Sequence, residues 1–597
     1  MKNTKMKIIF FLLLFVSLTF SQARLNPEIT AEEIQYHINY LASEELEGRM
    51  TGTQELYKAA LYIQNEFERY GLQPFFDGSF LQEFPFTAGI ELGDKLYLTI
   101  YSDANEADLK VGFDYIPFSF TDNISLAGNL VFAGYGISAP DINYDDYDGI
   151  DVKEKIVVAF RNHPDRKNPH SQFEKYSSLR FKTTTARDKG ASGIIFINDY
   201  EKDSDDLVQL RYDNASSITG VIAVNVKREF IERLFEEENK NLKSILESID
   251  NSLTPNSFAF ETAAIECNIE VKKTEKSCWN VAGFIPGSDP AYANEYLVIG
   301  AHYDHLGWGE SNSLYMGDIP MIHYGADDNA SGTTGLLELS EKFMSVRDQL
   351  KRNIVFAGFS GEELGLLGSS YLVNNFPVPI NEVVTMINMD MIGRLNDNND
   401  LIVYGTGTSS EWKNILNNKN LYEFNLTFND DGFGPSDHSS FYGKQVPVLF
   451  FFTGTHSDYH RPSDTADKIN AEGQEKILRY VYAVAKNIVQ SDSKPDYISV
   501  ERKERGRMTT GRVWVGTMPD FAGEVDGYKL GGVTEGSPAD KAGLKTGDII
   551  TSFGGKKISN IYDFTYAIGS YVPGDKVEVI VLRGETELKV EIELTSR

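Results

Sequence analysis

The chain has 597 residues, 41% hydrophobic and 24% charged, so several folded domains are expected and a long disordered tract is not. Its 87 acidic against 57 basic residues give a formal net charge of −30. That balance argues against nucleic acid as a partner, whose binding runs on Lys and Arg against phosphate, and favours a solvated acidic surface with affinity for cations.

The N-terminus places Lys2, Lys5 and Lys7 ahead of an apolar run from Ile8 to Phe20, followed by Ser21-Gln22-Ala23. This predicts a secretory signal over residues 1–23, with the mature protein periplasmic or secreted. The run is too short to span the ~30 Å hydrocarbon core, no cysteine follows it to take a lipid, and no membrane anchor is expected. The chain's two cysteines, Cys267 and Cys278, can pair or stay free, and are too few for a cysteine-ligated metal site.

Residues 30–72 carry helical periodicity in two runs, with the turn EGRMTG between them and Gly71 as the stop of the second. From about 115 to 265 strand-like pieces, NLVFAGYGI, KIVVAFR and GIIFIND, alternate with Asp/Tyr/Gly loops, which predicts a compact β-rich insert. Four near-continuous apolar runs then follow: 296–300, 353–359, 383–388 and 446–452. Alternating with helical segments, they predict a three-layer α/β domain around a mainly parallel sheet, covering 266–490 and completed by 24–114. The polar stretch 491–510 reads as a linker. In the last unit, 511–597, Ser537, Pro538 and Gly543 outline a short helix, and 577–594 reads as a hairpin around Arg583-Gly584.

Five segments at or just after apolar runs or loop ends carry the chemistry: AHYDHLG (301–307), GADDNASG (325–332), GFSGEELGLLGS (358–369), NMDMIGR (388–394) and SDYHRPSDT (457–465). Ligands of open α/β sheets gather at the carboxyl ends of the strands, so these segments can meet at one edge. They offer His, Asp and Glu and no Cys, an oxygen and nitrogen set suited to a pair of divalent metal ions, most naturally zinc. His305, His323, His438 and His456 lie near the motifs and read as structural or supporting, while His163 and His170 flank a polar loop and read as surface residues. YGTGTSS (404–410) lacks the Gly-Lys-Ser/Thr ending of a phosphate loop, and no Gly-x-Ser-x-Gly elbow stands where a serine nucleophile needs one.

In order and spacing the five segments resemble the co-catalytic zinc peptidases, the family of bacterial leucyl aminopeptidases, glutamate carboxypeptidase and the transferrin receptor ectodomain. The resemblance covers about 278–490 and the N-terminal helices. It implies His302 and Asp390 as ligands of one metal, Glu363 and His460 as ligands of the other, and Asp327 as the carboxylate bridging both. It implies Asp304 as the carboxylate that orients His302, Tyr459 as a phenol that helps hold the oxyanion, and Glu362 as the general base on the metal-bridging water. It also implies a cis peptide between Asp327 and Asp328.

The insert resembles a protease-associated domain, and EGSPADKAGLKTGDII resembles a PDZ domain, which would add a peptide or protein ligand at a sheet edge. VWVGTMPDF (513–521) stands where its carboxylate-binding loop would lie, but departs from the usual pattern. The function expected is a secreted di-zinc aminopeptidase acting on peptides with a free N-terminus. The alternatives are a carboxypeptidase or dipeptidase of the same family, and a catalytically inactive receptor-like binding protein.

Overall fold

The four apolar runs read from the sequence are four neighbouring parallel strands in a computed structural model of the chain: Asn353–Phe359, Tyr296–His302, Val383–Met389 and Val448–Phe452. The structure describes residues 26–597 apart from 167, 169, 170, 201–203, 211–218, 316, 318, 501–512, 520–524, 526, 535, 559–563, 565, 566, 569, 570, 572, 573, 585 and 597. The expected signal segment, His170, the second half of the expected linker and part of VWVGTMPDF lie outside the described residues. Among the described residues no helix is long and apolar enough to cross a membrane.

The sheet is mixed rather than purely parallel. Val271–Ile285 runs antiparallel beside Asn353–Phe359, and Asp400–Tyr404 runs antiparallel beside Val448–Phe452. Side chains alternate between the two faces of each strand. Leu297, Ile299, Ile354 and Phe356 pack with residues of the helices Ala31–Leu41, Gln54–Tyr70, Gly332–Met344 and Ala471–Gln490. Val298, Val355, Ala357 and Val448 pack on the opposite side with Leu372 and Phe441. Both faces are buried, which is why these strands read as continuous apolar runs and not as alternating ones.

The N-terminal helices form where capping signals allow them. Thr30 accepts a hydrogen bond from the Glu33 N–H and Thr53 one from the Leu56 N–H, and Gly71 ends the second helix at φ 86°. A long antiparallel ribbon, Leu81–Leu92 with Val271–Ile285, then leads to the insert and back. The insert is an eight-stranded sheet with its own cores. That sheet takes in Tyr97–Tyr101 and Glu106–Leu109, which precede residue 115, and returns through Phe258–Ile269. His163, expected at the surface, is buried there with Nε2 3.1 Å from a Glu174 carboxylate oxygen. Its ring stacks on Phe173 with centroids 6.3 Å apart, so local polarity misreports its exposure.

Cys267 and Cys278 are unpaired and buried, and burial pushes both thiols up to about 12. The described part of the expected linker is fastened to the α/β domain. Asp496 accepts from the Ser409 hydroxyl at 2.6 Å and the Ser410 N–H at 2.9 Å, and the Val500 N–H donates to the Tyr442 hydroxyl oxygen at 2.8 Å. In the C-terminal domain the Ser537 side chain accepts from the Asp540 N–H, the helix runs Pro538–Lys541, and Lys576–Arg583 pairs with Thr586–Glu593.

Candidate metal and catalytic centre

Each parallel strand delivers a polar group at its carboxyl end. His302 is the last residue of its strand, Asp390 follows Met389, and Glu362 and Glu363 follow Phe359 by a short turn. Val448–Phe452 leads into the loop that carries Tyr459 and His460. His302 Nε2 stands 3.4 Å from Asp328 Oδ1 and 3.4 Å from Asp390 Oδ1. His460 Nε2 stands 3.3 Å from Asp328 Oδ2 and 3.3 Å from Glu363 Oε2. The two sets share one residue, Asp328, with one oxygen turned to each.

These spacings are informative. Hydrogen bonds between such groups sit at ~2.7–3.2 Å. Ligands ~2.0–2.1 Å from a tetrahedral zinc ion sit ~3.3 Å from one another, by the geometry of the tetrahedron. His302 Nε2 and Asp390 Oδ1 are buried with no hydrogen-bond partner among the described residues, in a centre where an unpaired polar atom is costly. Among the described residues, the recorded ion pairs of Asp328, Glu363 and Asp390 are to histidines, with no Lys or Arg. The donor set and its excess of negative charge fit divalent cations.

The residue between the two halves is Asp328, where the sequence pointed to Asp327. Asp327 is turned away: its Oδ1 accepts from the Gly393 N–H at 2.6 Å, and its Oδ2 lies 3.1 Å from His456 Nε2. Neighbouring side chains at a turn point to different sides, so a slip of one position exchanges the inner residue for the outer one. The cis peptide is likewise one residue on, between Asp328 and Asn329.

The two acidic turns are held by other aspartates. Asp464 Oδ2 accepts from the N–H groups of Asp327 at 2.8 Å and Asp328 at 3.1 Å, and its Oδ1 accepts from Arg394 at 2.9 Å. Asp304 accepts from the Glu362 N–H at 3.1 Å, from the Glu363 N–H at 3.4 Å and from the Thr51 hydroxyl at 2.8 Å. Its carboxylate stands 3.7 Å from His302 Nδ1, while its main-chain oxygen stands at 3.2 Å. Asp304 thus supports His302 through the carbonyl and the Glu362–Glu363 turn through the side chain. Arg49, buried, donates to the main-chain oxygens of Leu41, Tyr303, Tyr324 and Gly325, tying the first helix to the segment after His302 and to the approach of the Asp327-Asp328 turn.

Glu362 lines the same space. Burial, reinforced by the charges of Glu363, Asp437 and Asp390 and opposed by His302, holds its carboxyl well above the usual range. Tyr459 stacks on His460 with ring centroids 3.8 Å apart. Burial first, then Asp328, Glu363, Glu362 and Asp390, pushes its phenol well above its usual value, so it stays a neutral donor facing acids. On one side of the centre an apolar wall is built from Met391, Ile402, Tyr404, Phe450 and Phe452, with Tyr459 packed against it.

His305, read from the sequence as structural or supporting, has its Nδ1 2.7 Å from Glu363 Oε1, a hydrogen-bond distance, which makes it a support of Glu363 and His460 the better-placed ligand. Two contributors, Asp464 and Asn329, escaped the sequence reading. Asn329 accepts from the Gly332 and Met391 N–H groups at 2.8 and 3.2 Å, locking the turn to the end of the Asp390 strand. The repeated SD/DT character of 457–465 was the one signal for Asp464, and nothing local marks Asn329. His323 hydrogen-bonds within its own loop to Ser313 and the Met321 carbonyl, and His438 stacks on Phe450.

Residues 280–485 match the profile of Peptidase family M28, and residues 509–594 that of the PDZ domain. Leucine aminopeptidase 2 of Trichophyton rubrum is 27% identical over 268 residues, 40% of this chain and 48% of the relative. The chain thus spans about half the length of that relative, and less of the next ones. Aminopeptidase YwaD of Bacillus subtilis is 24% identical over 473 residues, 78% of this chain and 86% of the relative. Among solved structures, BSAP, a zinc aminopeptidase from Bacillus subtilis, aligns at 21% identity and TM-score 0.43, over 79% of this chain and 98% of that one. Residues 280–485 thus form a peptidase family M28 domain, and residues 509–594 a PDZ domain.

Proposed function

We propose that the protein is a zinc aminopeptidase that holds two ions and removes N-terminal residues from peptides. The observation that carries this reading is the shared Asp328, flanked at 3.3–3.4 Å by His302 and Asp390 on one side and by Glu363 and His460 on the other. Asp390 Oδ1 and His302 Nε2, orphaned and buried, complete that case.

Zinc ions held there would supply Lewis acidity for the attacking water and the scissile carbonyl at neutral pH. The remaining work falls to the protein. Glu362, a carboxyl whose affinity for protons is raised by burial, takes the proton from the water and returns it to the leaving amine. Tyr459 donates a hydrogen bond to the oxygen that develops negative charge. The relatives named aminopeptidases support a substrate with a free N-terminus. The N-terminal run of the chain supports export to the periplasm or medium, and the PDZ domain supports a peptide or protein ligand of its own.

Mass spectrometry of products from an unblocked peptide and its N-acetylated copy tests the reading. Stepwise loss of N-terminal residues from the unblocked peptide alone is expected. Loss from the C-terminus, release of dipeptides, or no cleavage by zinc-loaded protein would overturn it.

A further inference from the structure

The two halves of the centre are supported differently. His302 takes its second contact from its own strand end, the carbonyl of Asp304 at 3.2 Å. His460 takes it from a distant loop: its Nδ1–H donates to the main-chain oxygen of Asn312 at 2.8 Å. That bond fixes the imidazole with its Nε2 lone pair toward Asp328 and Glu363.

Asn312 makes a second contact on the same half. Its side-chain amide donates to the main-chain oxygen of Glu363 at 2.8 Å. Two residues on, the Leu314 N–H donates to the His460 carbonyl at 2.9 Å. Glu363 and His460 are 97 positions apart in the chain (460 − 363), and one residue touches both. Asn312 sits at φ 58° and His460 at φ 55°, left-handed conformations that Asn adopts more readily than most residues.

We propose that Asn312 is a positioning residue that sets the distance and orientation between Glu363 and His460, and so governs the affinity of that half of the centre alone. The inference rests on the two-ion reading above. Losing a group that orients ligands costs ~10–100-fold in metal affinity. Asn312→Asp keeps the backbone preference but replaces the donor by an acceptor facing a carbonyl oxygen. Asn312→Gly keeps the left-handed backbone and its carbonyl and removes only the amide.

The test is a titration of the metal-free full-length protein with zinc, followed by calorimetry and by metal content after dialysis, with cobalt(II) absorption as a second readout. Wild type is expected to bind two ions. Both variants are expected to bind one ion with unchanged affinity and the other about 10–100-fold more weakly, with the cobalt spectrum of only one site altered. Two ions bound at wild-type affinities in both variants would overturn the inference and leave the two-ion reading standing. Equal weakening of both ions in both variants would also overturn it, since that is the mark of a general structural role. Fewer than two ions in wild type would overturn the two-ion reading, and the inference with it.

Discussion

Two turns of this molecule pair like acids side by side: Asp327-Asp328 and Glu362-Glu363. Each lies at the carboxyl edge of the sheet, and each is held through its N–H groups by an aspartate from elsewhere, Asp464 in the first case and Asp304 in the second. In both, the second acid of the pair joins the centre. The first acids differ. Glu362 shares the buried space and has a free carboxyl, whereas Asp327 is consumed by the Gly393 N–H and His456. Under the function proposed above, one pair supplies a ligand and a proton carrier, and the other supplies a ligand and a strut.

The largest break in that comparison is expected from Asp328→Ala. It should empty both halves, with zinc content by elemental analysis falling toward none and peptidase activity falling to background. Retention of two ions would move the bridge elsewhere. Glu362→Gln should keep both ions and lose ~10²–10⁴-fold in kcat, the range for a general base. Full activity would remove Glu362 from the chemistry. Tyr459→Phe should lose ~10²–10³-fold in kcat with little change in zinc affinity, as for other single oxyanion donors. Asp464→Asn and Asp304→Asn test whether the two turns are held alike, each weakening zinc by ~10–100-fold in a competition titration. The smallest effect on activity is expected from Asp327→Ala. It leaves His456 Nε2 and the Gly393 N–H without their Asp327 partner, so it should cost about 1–3 kcal/mol in denaturant stability while zinc content stays at two. Zinc loss comparable to that of Asp328→Ala would erase the distinction between strut and ligand.

The same comparison shows what is legible in a sequence. His302, Asp390 and Glu363 stand out because each ends an apolar run, and a buried parallel strand announces its own end. They do meet in space, together with His460. The choice between Asp327 and Asp328 is not legible, because one position of shift reverses which side chain faces inward and the two side chains are chemically identical. Asp464, Asn312 and Arg49 are less legible still: each acts on residues more than 45 positions away, through main-chain groups that every sequence possesses. The fold's central strands follow from their continuous apolar runs, but the antiparallel direction of Val271–Ile285 and Asp400–Tyr404 does not, since direction leaves no mark on composition.

The contacts of Arg49 and Thr51 bear on where the chain can be cut. The M28 match begins at residue 280, and a fragment starting there would keep all the acids and imidazoles of the centre. It would lose the guanidinium that grips Tyr303, Tyr324 and Gly325, and the hydroxyl that steadies Asp304. The insert is different. It joins the rest at a two-stranded neck where Leu92 pairs with Val271, and the Gly93 N–H already bonds to the Glu270 carbonyl. A short hairpin closing that neck would leave the contacts of the centre in place, while removing the first two helices and the turn between them would take away the Arg49 and Thr51 contacts.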